Sequence, residues 1–510
     1  MSQFVKVLRK TTRWASQMRR VDFDGQPEFG QRATITVPRI AELLNGLTLV
    51  VTMPDIASAQ LIARAQAEAA GKQFLGPRYG WTNSLGHALI QRVELEIGGT
   101  VLETLDGRLM EVLDELYEPL GTLQAKNRMI CRAPNGFGPT TWVGTPDAPV
   151  TVYVPLPFWF SKPGILSHAL PIDALNADLV RVHVTFRPVE QLFYTDARMD
   201  ERTVGFRLAT DVAGAMPAIQ GGRFWQANPA AAGTVYTMNA SMPLDGVRGE
   251  LVAGVTMPFR LGMQSAYMLA DYVSVEQPEA IALRTAELSY RVEQHVTIPL
   301  QQTQGVTEVR VPLPFTNPTK ELLWVFQRPE AEIFNAWFLF TRDLGPFVPA
   351  RLGPVNPCSV PWWPDAVLTP SVSNKWSLLP AFRTADSEPM SNVALFYNSY
   401  ERFIHEGPSL FRTLLPTVHA TKAPLFDRYV YMWPFGYGEG QRLSAVNREG
   451  DVYAPRGETN WDKIPRKEMF FTMTTERNCG TRPNMNLYVW TTIWNVFNVY
   501  AGRGGMLFTN

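Results

Sequence analysis

The sequence predicts an all-β protein of two consecutive domains. Three observations carry this: short apolar runs with period-2 alternation, turn residues scattered along the whole length, and two halves that repeat one plan. At 510 residues the chain exceeds the ~250–300 residues at which a single hydrophobic core stops growing. Its 37 glycines and 40 prolines are spread rather than clustered, so they belong to turns between many short strands and not to a disordered linker.

Phe23, Phe29, Ile35 and Val37 read as strand residues, with Gly25 and Gly30 as turns. Leu47, Leu49 and Val51 mark the next strand, which ends at Pro54. Ala57–Ala70 is alanine-rich, with Asp55 as N-cap and Gly71 as C-cap, and reads as a helix on an inter-strand loop. In residues 90–97, Val93, Leu95 and Ile97 share one face while Arg92, Glu94 and Glu96 share the other, the pattern of a half-buried strand. Gly98-Gly99 then turns the chain, because glycine accepts positive φ without steric cost, and Val101 and Leu102 resume the apolar pattern. Over Gly107–Tyr117, the residues Leu109, Val112, Leu113 and Leu116 form the stripe of a helix that Pro119 stops.

Strands return at Val150–Val154 and Leu179–Phe186. Residues 188–265 lose periodicity and are rich in Gly, Ala and Pro, which reads as a long inserted loop exposed on one face. Alternation resumes at Tyr272–Val275, and a second all-β run starts at Glu287–Leu300. The domain boundary falls near Gln277-Pro278-Glu279. The expected organisation is a basic arm over residues 1–20, a first domain over 21–280 and a second over 286–510.

The halves repeat one plan in order. Val37-Pro38 followed by Glu42-Leu43-Leu44 matches Val311-Pro312 followed by Glu321-Leu322-Leu323, and Tyr153–Phe158 matches Tyr429–Phe435. The identical Val-Pro-Leu-Pro-Phe at 154–158 and 311–315 does not fit that order and reads as coincidence. Two all-β domains of this size fit sandwiches or barrels. The jelly roll, eight strands in two sheets, is one such solution, and composition does not choose among them.

Composition narrows function. Only 18% of residues are charged and 11% are aromatic, against a typical quarter charged. That leaves less solvated surface than a free monomer wants and implies large contacts between subunits. Forty-seven basic residues balance 47 acidic ones, against a nucleic-acid wrapper. Cys131, Cys358 and Cys479 are few and distant, so no disulfide framework or zinc spacing is readable and a reducing compartment is expected. The first twenty residues carry Lys6, Arg9, Lys10, Arg13, Arg19 and Arg20 with no acid and no apolar signal-peptide core. No apolar run is long enough to span a membrane.

No catalytic, cofactor or metal residue is assigned. Gly-x-Ser-x-Gly, P-loop and His-Glu-x-x-His motifs are absent, and His87, His168, His183, His295, His405 and His419 occur singly, as hydrogen-bonded structural or surface residues do. Glu94 and Glu96 read as a solvated or subunit-facing strand surface, and Asp114, Glu115 and Asp271 as similarly non-catalytic. Cys131 lies near Arg128 and Arg132 but has no local histidine to activate it. Phe158-Trp159-Phe160 and Trp362-Trp363 read as core or interface. Asn239-Ala240-Ser241 is a single glycosylation sequon, for which chance is the simpler reading.

One set of motifs stands in fixed order: Arg9–Ala15, Phe23-Asp24-Gly25 with Phe29-Gly30, Trp81-Thr82-Asn83, Gly86-His87, and Glu94-Leu95-Glu96-Ile97-Gly98-Gly99. Val154–Phe160, Ala169-Leu170-Pro171, Val182–Pro188, Leu269–Val273, Phe315–Gln327, Leu395–Phe403 and the tail from Asn495 to Met506 follow. Together they resemble the major capsid proteins of large icosahedral double-stranded DNA viruses of eukaryotes. Tyr400-Glu401 departs from the family's Asp-type chemistry before Arg402, and 188–265 is longer than the family's usual segment.

The resemblance implies two consecutive eight-stranded jelly-roll barrels with short helices and long inserted loops. It implies a homotrimer, a pseudo-hexameric capsomer of six barrels, tiling an icosahedral shell beside minor capsid and penton proteins. The chain would reside in the virion after assembly in the host cytoplasm, without cofactor or specific nucleic acid. The basic arm is expected to face the particle interior, toward minor capsid proteins or an internal membrane surface. Three other readings stay open: a jelly-roll carbohydrate-binding protein, a jelly-roll hydrolase, and a minor capsid protein of the same lineage. Oligomeric state discriminates the lectin, and an alanine scan with activity assays the hydrolase.

Overall fold

The computed structural model describes residues 13–54, 79–132, 150–161, 166–195, 262–333, 337–342, 388–424, 428–436, 457–475 and 482–508. Each half of the chain is a sandwich of antiparallel sheets. The first contains β1 (Trp14–Asp22), β2 (Arg32–Thr36), β3 (Leu43–Thr52), β4 (Ile90–Ile97), β5 (Thr100–Leu105), β6 (Thr151–Pro155), β7 (Val180–Phe186) and β8 (Ser265–Val275). They pair in the orders β1-β8-β3-β6 and β2-β7-β4-β5. The second contains β9 (Leu288–Thr297), β10 (Glu308–Pro312), β11 (Pro318–Gln327), β12 (Met390–Tyr397), β13 (Tyr400–Glu406), β14 (Tyr431–Pro434), β15 (Lys467–Met473) and β16 (Asn486–Tyr500).

The second set pairs in the orders β9-β16-β11-β14 and β10-β15-β12-β13, the former extended by the short strands Gln301–Gln302, Thr459–Asn460 and Arg503–Met506. Its order is that of the first sandwich with every label raised by eight. Two such sheets are the jelly-roll arrangement, here made twice.

The repeat read from sequence is real. Val37-Pro38 follows β2 and Val311-Pro312 closes β10, its equivalent; Leu43-Leu44 opens β3, and Leu322-Leu323 lies in the equivalent β11. Tyr153-Val154-Pro155 sits in β6 and Tyr431–Pro434 is β14, again equivalents. The identical Val-Pro-Leu-Pro-Phe segments leave β6 and β10, which are not equivalent, so that identity is coincidence.

Alternation places the core. Val93, Leu95 and Ile97 of β4 lie opposite Val184, Val182 and Val180 of β7, and all six are buried. Gly98 and Gly99 turn the chain with φ of 61° and 85°. Inner faces of both sandwiches merge into one hydrophobic cluster. Phe158, Trp159 and Phe160 are buried in it, and the Trp159 ring packs on Phe497 of the other sandwich with centroids 5.6 Å apart.

Helices α1 (Leu85–Leu89), α2 (Gly107–Tyr117), α3 (Leu120–Met129) and α4 (Gln277–Thr285) precede β9, and the short helices Pro329–Ile333 and Leu415–His419 follow it. In α2 the stripe Leu109, Val112, Leu113 and Leu116 is buried, and the Asp106 side chain caps the helix by accepting from the Leu109 N–H at 2.8 Å. Pro119 ends α2 and opens α3, a helix with no buried stripe to announce it. The chain passes from β8 to β9 through α4. Among the described residues no helix is long and apolar enough to cross a membrane.

One boundary needs correction. Residues 14–20 are not a free arm: β1 pairs with β8 along its whole length, from Trp14 opposite Val275 to Asp22 opposite Tyr267. Only Val21 of its nine residues is buried. A strand exposed on both faces shows no alternation, so its cations read as a tail. Phe23, Phe29 and Val37 likewise flank β2 rather than belong to a strand. The helix expected at Ala57–Ala70 lies outside the described residues, as do 196–261 with Asn239, and also Lys6, Arg9, Lys10, Cys358, Cys479 and Trp362-Trp363. Within 188–195, Phe193–Thr195 pairs with Tyr79–Trp81.

A truncation follows from this correction. The reference for the test is a chain that lacks residues 1–12 only. Removing 1–20 takes most of β1 and bares the β8 edge, and should lower the midpoint by roughly 2–4 °C or more. Equal midpoints in a thermal scan would contradict the role assigned to β1.

Candidate functional site at the junction of the two sandwiches

The polar chemistry of the described residues concentrates where the sandwiches meet. Two glycines make this possible. A Cβ on Gly86 would come within 2.8 Å of Val154 Cγ2, and one on Gly107 would overlap the His87 carbonyl oxygen and approach that of Ile90 to 2.8 Å. Gly107 therefore lets α2 pass this close to α1, and Gly86 lets α1 sit against β6 and Ile130.

That crossing sets His87 Nδ1 2.8 Å from Glu111 Oε2. Arg132 Nη2 donates to the same oxygen at 2.6 Å and to Asp114 Oδ2 at 3.3 Å, while its Nε donates to Ser84 Oγ at 3.1 Å. The Ser84 hydroxyl in turn donates to Glu111 Oε1 at 3.0 Å. The second sandwich adds two cations. Arg428 Nη1 lies 3.3 Å from Glu111 Oε1, and Lys422 Nζ lies 3.4 Å from Glu115 Oε1. The backbone N–H groups of Thr421 and Lys422 both donate to the Leu116 carbonyl at 3.1 Å.

Burial alone would raise the Glu111 pKa, but Arg132, His87 and Arg428 hold it well below the usual carboxylate range. Burial also pushes the Lys422 ammonium pKa down, against the pull of Glu115. Charges this deep persist only because they are paired. The arrangement is an ionic lock between the sandwiches.

Three further groups of contacts fix the junction. Asp178 Oδ2 accepts from the Gly504 N–H at 2.9 Å, and a Cβ on Gly98 would strike the same carboxylate at 2.7 Å. Nearby, the Ala177 N–H donates to the Gly502 carbonyl at 3.0 Å. Edge strand β5 meets edge strand β9: Gln294 Nε2 donates to the Leu102 carbonyl at 2.8 Å, and the His295 backbone N–H and Nδ1 reach Glu103 Oε1 at 3.3 and 3.1 Å. Arg108 of α2 donates to Gln327 at 2.9 Å, pairs with Glu332, and stacks 4.5 Å over the Tyr488 ring.

Against this geometry, the chain matches the family model described as major capsid protein N-terminus over residues 2–220. It matches the one described as large eukaryotic DNA virus major capsid protein over residues 279–505. The chain belongs to the major capsid proteins of large eukaryotic DNA viruses. It is 20% identical to "Probable capsid protein 4" of Acanthamoeba polyphaga mimivirus, over 99% of this chain and 94% of that one. It is 24% identical to the "Major capsid protein" of Chrysochromulina ericina virus, over 62% of this chain and 52% of that one. The matched region of "Capsid protein 1" of the same mimivirus is 31% of that relative's length.

Among solved structures, "PBCV-1 virus capsid, quasi-atomic model" superposes with a TM-score of 0.64 at 18% identity, covering 100% of both chains. "Faustovirus major capsid protein" gives 0.62 at 11%, over 98% of this chain and 93% of that one. These likenesses show the shared double jelly-roll fold.

Family membership gives the motifs their physical reading. Gly86 seats α1 against Val154 and Ile130, His87 meets Glu111 of α2, Gly98 meets Asp178, and Gly502 and Gly504 of the tail meet residues 175–178. Glu94 pairs with Arg32 at 2.8 Å and Arg92 at 2.7 Å. Glu96 takes His183 Nε2 at 2.8 Å, which with Arg181 and against burial lowers its pKa. Both glutamates lie on the face of β4 away from Val93, Leu95 and Ile97, as the alternation predicts, but Glu94 is buried and Glu96 half-buried under their partners rather than solvated.

The Cys131 thiol is buried, and burial pushes its pKa up to about 12, the reverse of an activated thiolate. Asp271 accepts from Asn45 at 3.4 Å. The basic-arm residues are not gathered into one site: Arg13 lies 3.6 Å from Glu276, whereas Arg19 and Arg20 are exposed on β1. Glu111, Arg428 and Lys422 were not singled out by sequence. The only sequence hint for Glu111 is its i, i+4 spacing to Glu115 on a helix whose neighbouring face is apolar.

Proposed function

We propose that this chain is the building block of a large icosahedral virus shell, with three copies closing into a capsomer of six sandwiches. The observation that carries this is the repeated strand order in one chain, with the two sandwiches locked together by buried ions. Two like units per chain let a three-fold ring present nearly six-fold symmetry and tile a lattice from one gene product. The role is structural, and the two sandwiches act as two domains divided at α4.

Neighbouring capsomers, minor capsid proteins and penton proteins are the expected partners, in the virion shell after assembly in the host cytoplasm. The cations Lys6, Arg9 and Lys10 are proposed to reach interior partners, minor capsid proteins or an internal membrane surface. Mass photometry of purified protein should show particles of three times the 57.3 kDa chain mass. A single monomer peak at micromolar concentration would remove the capsomer reading.

A further inference from the structure

We propose that β13 of one copy docks against β1 of the next, repeating between chains the contact that β5 makes with β9 within a chain. This rests on the trimer reading and names its surfaces. Within the chain, β5 is the edge of the sheet β2-β7-β4-β5, and β9 is the edge of β9-β16-β11-β14. They meet through Gln294, which is 1% exposed, and Glu103, which is 3% exposed.

The topological equivalents of this pair are β13 and β1. Both are edge strands, and among the described residues each pairs on one side only, β13 with β12 and β1 with β8. The equivalence extends to detail. The β4–β5 hairpin tip Gly98-Gly99 and the β12–β13 tip Asn398-Ser399 all have positive φ. The Gly98 N–H donates to the carbonyl of Leu179, the residue before β7, at 3.1 Å. The Asn398 N–H donates to the carbonyl of Arg466, the residue before β15, at 2.9 Å.

Exposure and charge fit a second copy as the occupant. Trp14 and Met18 of β1 are 53% and 62% exposed, and Tyr400 at the start of β13 is 81% exposed. An edge left open with large apolar side chains on it is a pairing surface that a free monomer would be expected to blunt. Around β1 stand Arg13, Arg19 and Arg20 against Asp22, whereas β13 carries Glu401 and Glu406 against Arg402. The ionic and hydrogen-bond partners of Arg20 and Arg19 are on β1 itself, Asp22 at 2.7 Å and Gln17 at 3.2 Å, and Arg20 also lies 4.2 Å over the half-buried Tyr267 ring of β8. Such pairs are cheap to exchange. Because the contact joins unlike surfaces it is head-to-tail, and a head-to-tail contact makes a ring when its rotation closes.

The test compares wild type with R19E/R20E, with E401R/E406R, and with all four changes together. The readout is the protein concentration at half-assembly of the trimer, with near-ultraviolet circular dichroism to check folding. Each reversal should raise that concentration at least about tenfold, because like charges then face each other, and the combination should bring it back toward wild type. Where a reversal fails to fold, Met18→Ala and Tyr400→Ala at exposed positions should each raise it severalfold. A wild-type trimer whose variants all assemble normally, or a fourfold variant no better than either pair, overturns the surface assignment while leaving the trimer. A monomeric wild type overturns both.

Discussion

Arg132→Met is expected to destabilise the chain by about 3–5 kcal/mol, the usual cost of removing one partner from a buried ion pair. The Arg132 side chain is 4% exposed and serves Glu111, Asp114 and Ser84 together. Without it, Glu111 keeps only His87, Ser84 and the 3.3 Å contact with Arg428. Urea denaturation should show the loss in the transition that reports the junction. Glu111→Leu added to Arg132→Met should recover part of it, since it removes the stranded carboxylate, and only part, since Arg428 then loses its contact with Glu111; a double variant no more stable than either single one would contradict the ionic-lock reading.

The pH dependence has a definite sign. Glu111 is held below its unfolded value near 4.5, so its stabilising contribution is complete above that pH and fades as pH falls toward the depressed value. Wild type should therefore lose stability more steeply below pH 4.5 than Arg132→Met. Parallel slopes would place the acid sensitivity in other carboxylates.

Much of the fold is legible in the sequence because burial on one face leaves a period. Strand β4 and helix α2 each carry one apolar face, and Val93, Leu95, Ile97 and the leucine stripe of α2 announce it, whereas the burial of Glu111 and Glu115 on the rest of α2 leaves no such period. The ordered pairs of segments reveal the duplicated plan for the same reason: equivalent strands meet equivalent surroundings. Strand β1 is hidden because neither face is covered apart from Val21, and a strand without a buried face has no period to read.

The junction is hidden for a different reason. Glu111, Arg132 and Arg428 are brought together by crossing helices and by the docking of two sandwiches, and their separations in the chain obey no local spacing. A charged residue on an amphipathic helix resembles a solvated one until the opposing domain is in place. The family motifs therefore located the junction without disclosing its chemistry.

Gly107→Ala should lower stability by roughly 1–3 kcal/mol or more, the cost of forcing atoms into a filled space. In an exposed helix the same change stabilises by about 0.5–1 kcal/mol, because alanine loses less chain entropy. Here the new methyl would meet the carbonyls of His87 and Ile90, which are backbone atoms and cannot swing aside. Helices α1 and α2 must separate, which lengthens the 2.8 Å bond from His87 to Glu111 and loosens the ionic lock. Gly121 in α3 supplies the internal control, since a Cβ there meets nothing within 4 Å. Thermal unfolding should move down for Gly107→Ala, and stay level or move up for Gly121→Ala. A Gly107→Ala protein that unfolds at or above the wild-type midpoint would show that the crossing can relax, and with it the claim that glycine at this position holds the junction closed would fall.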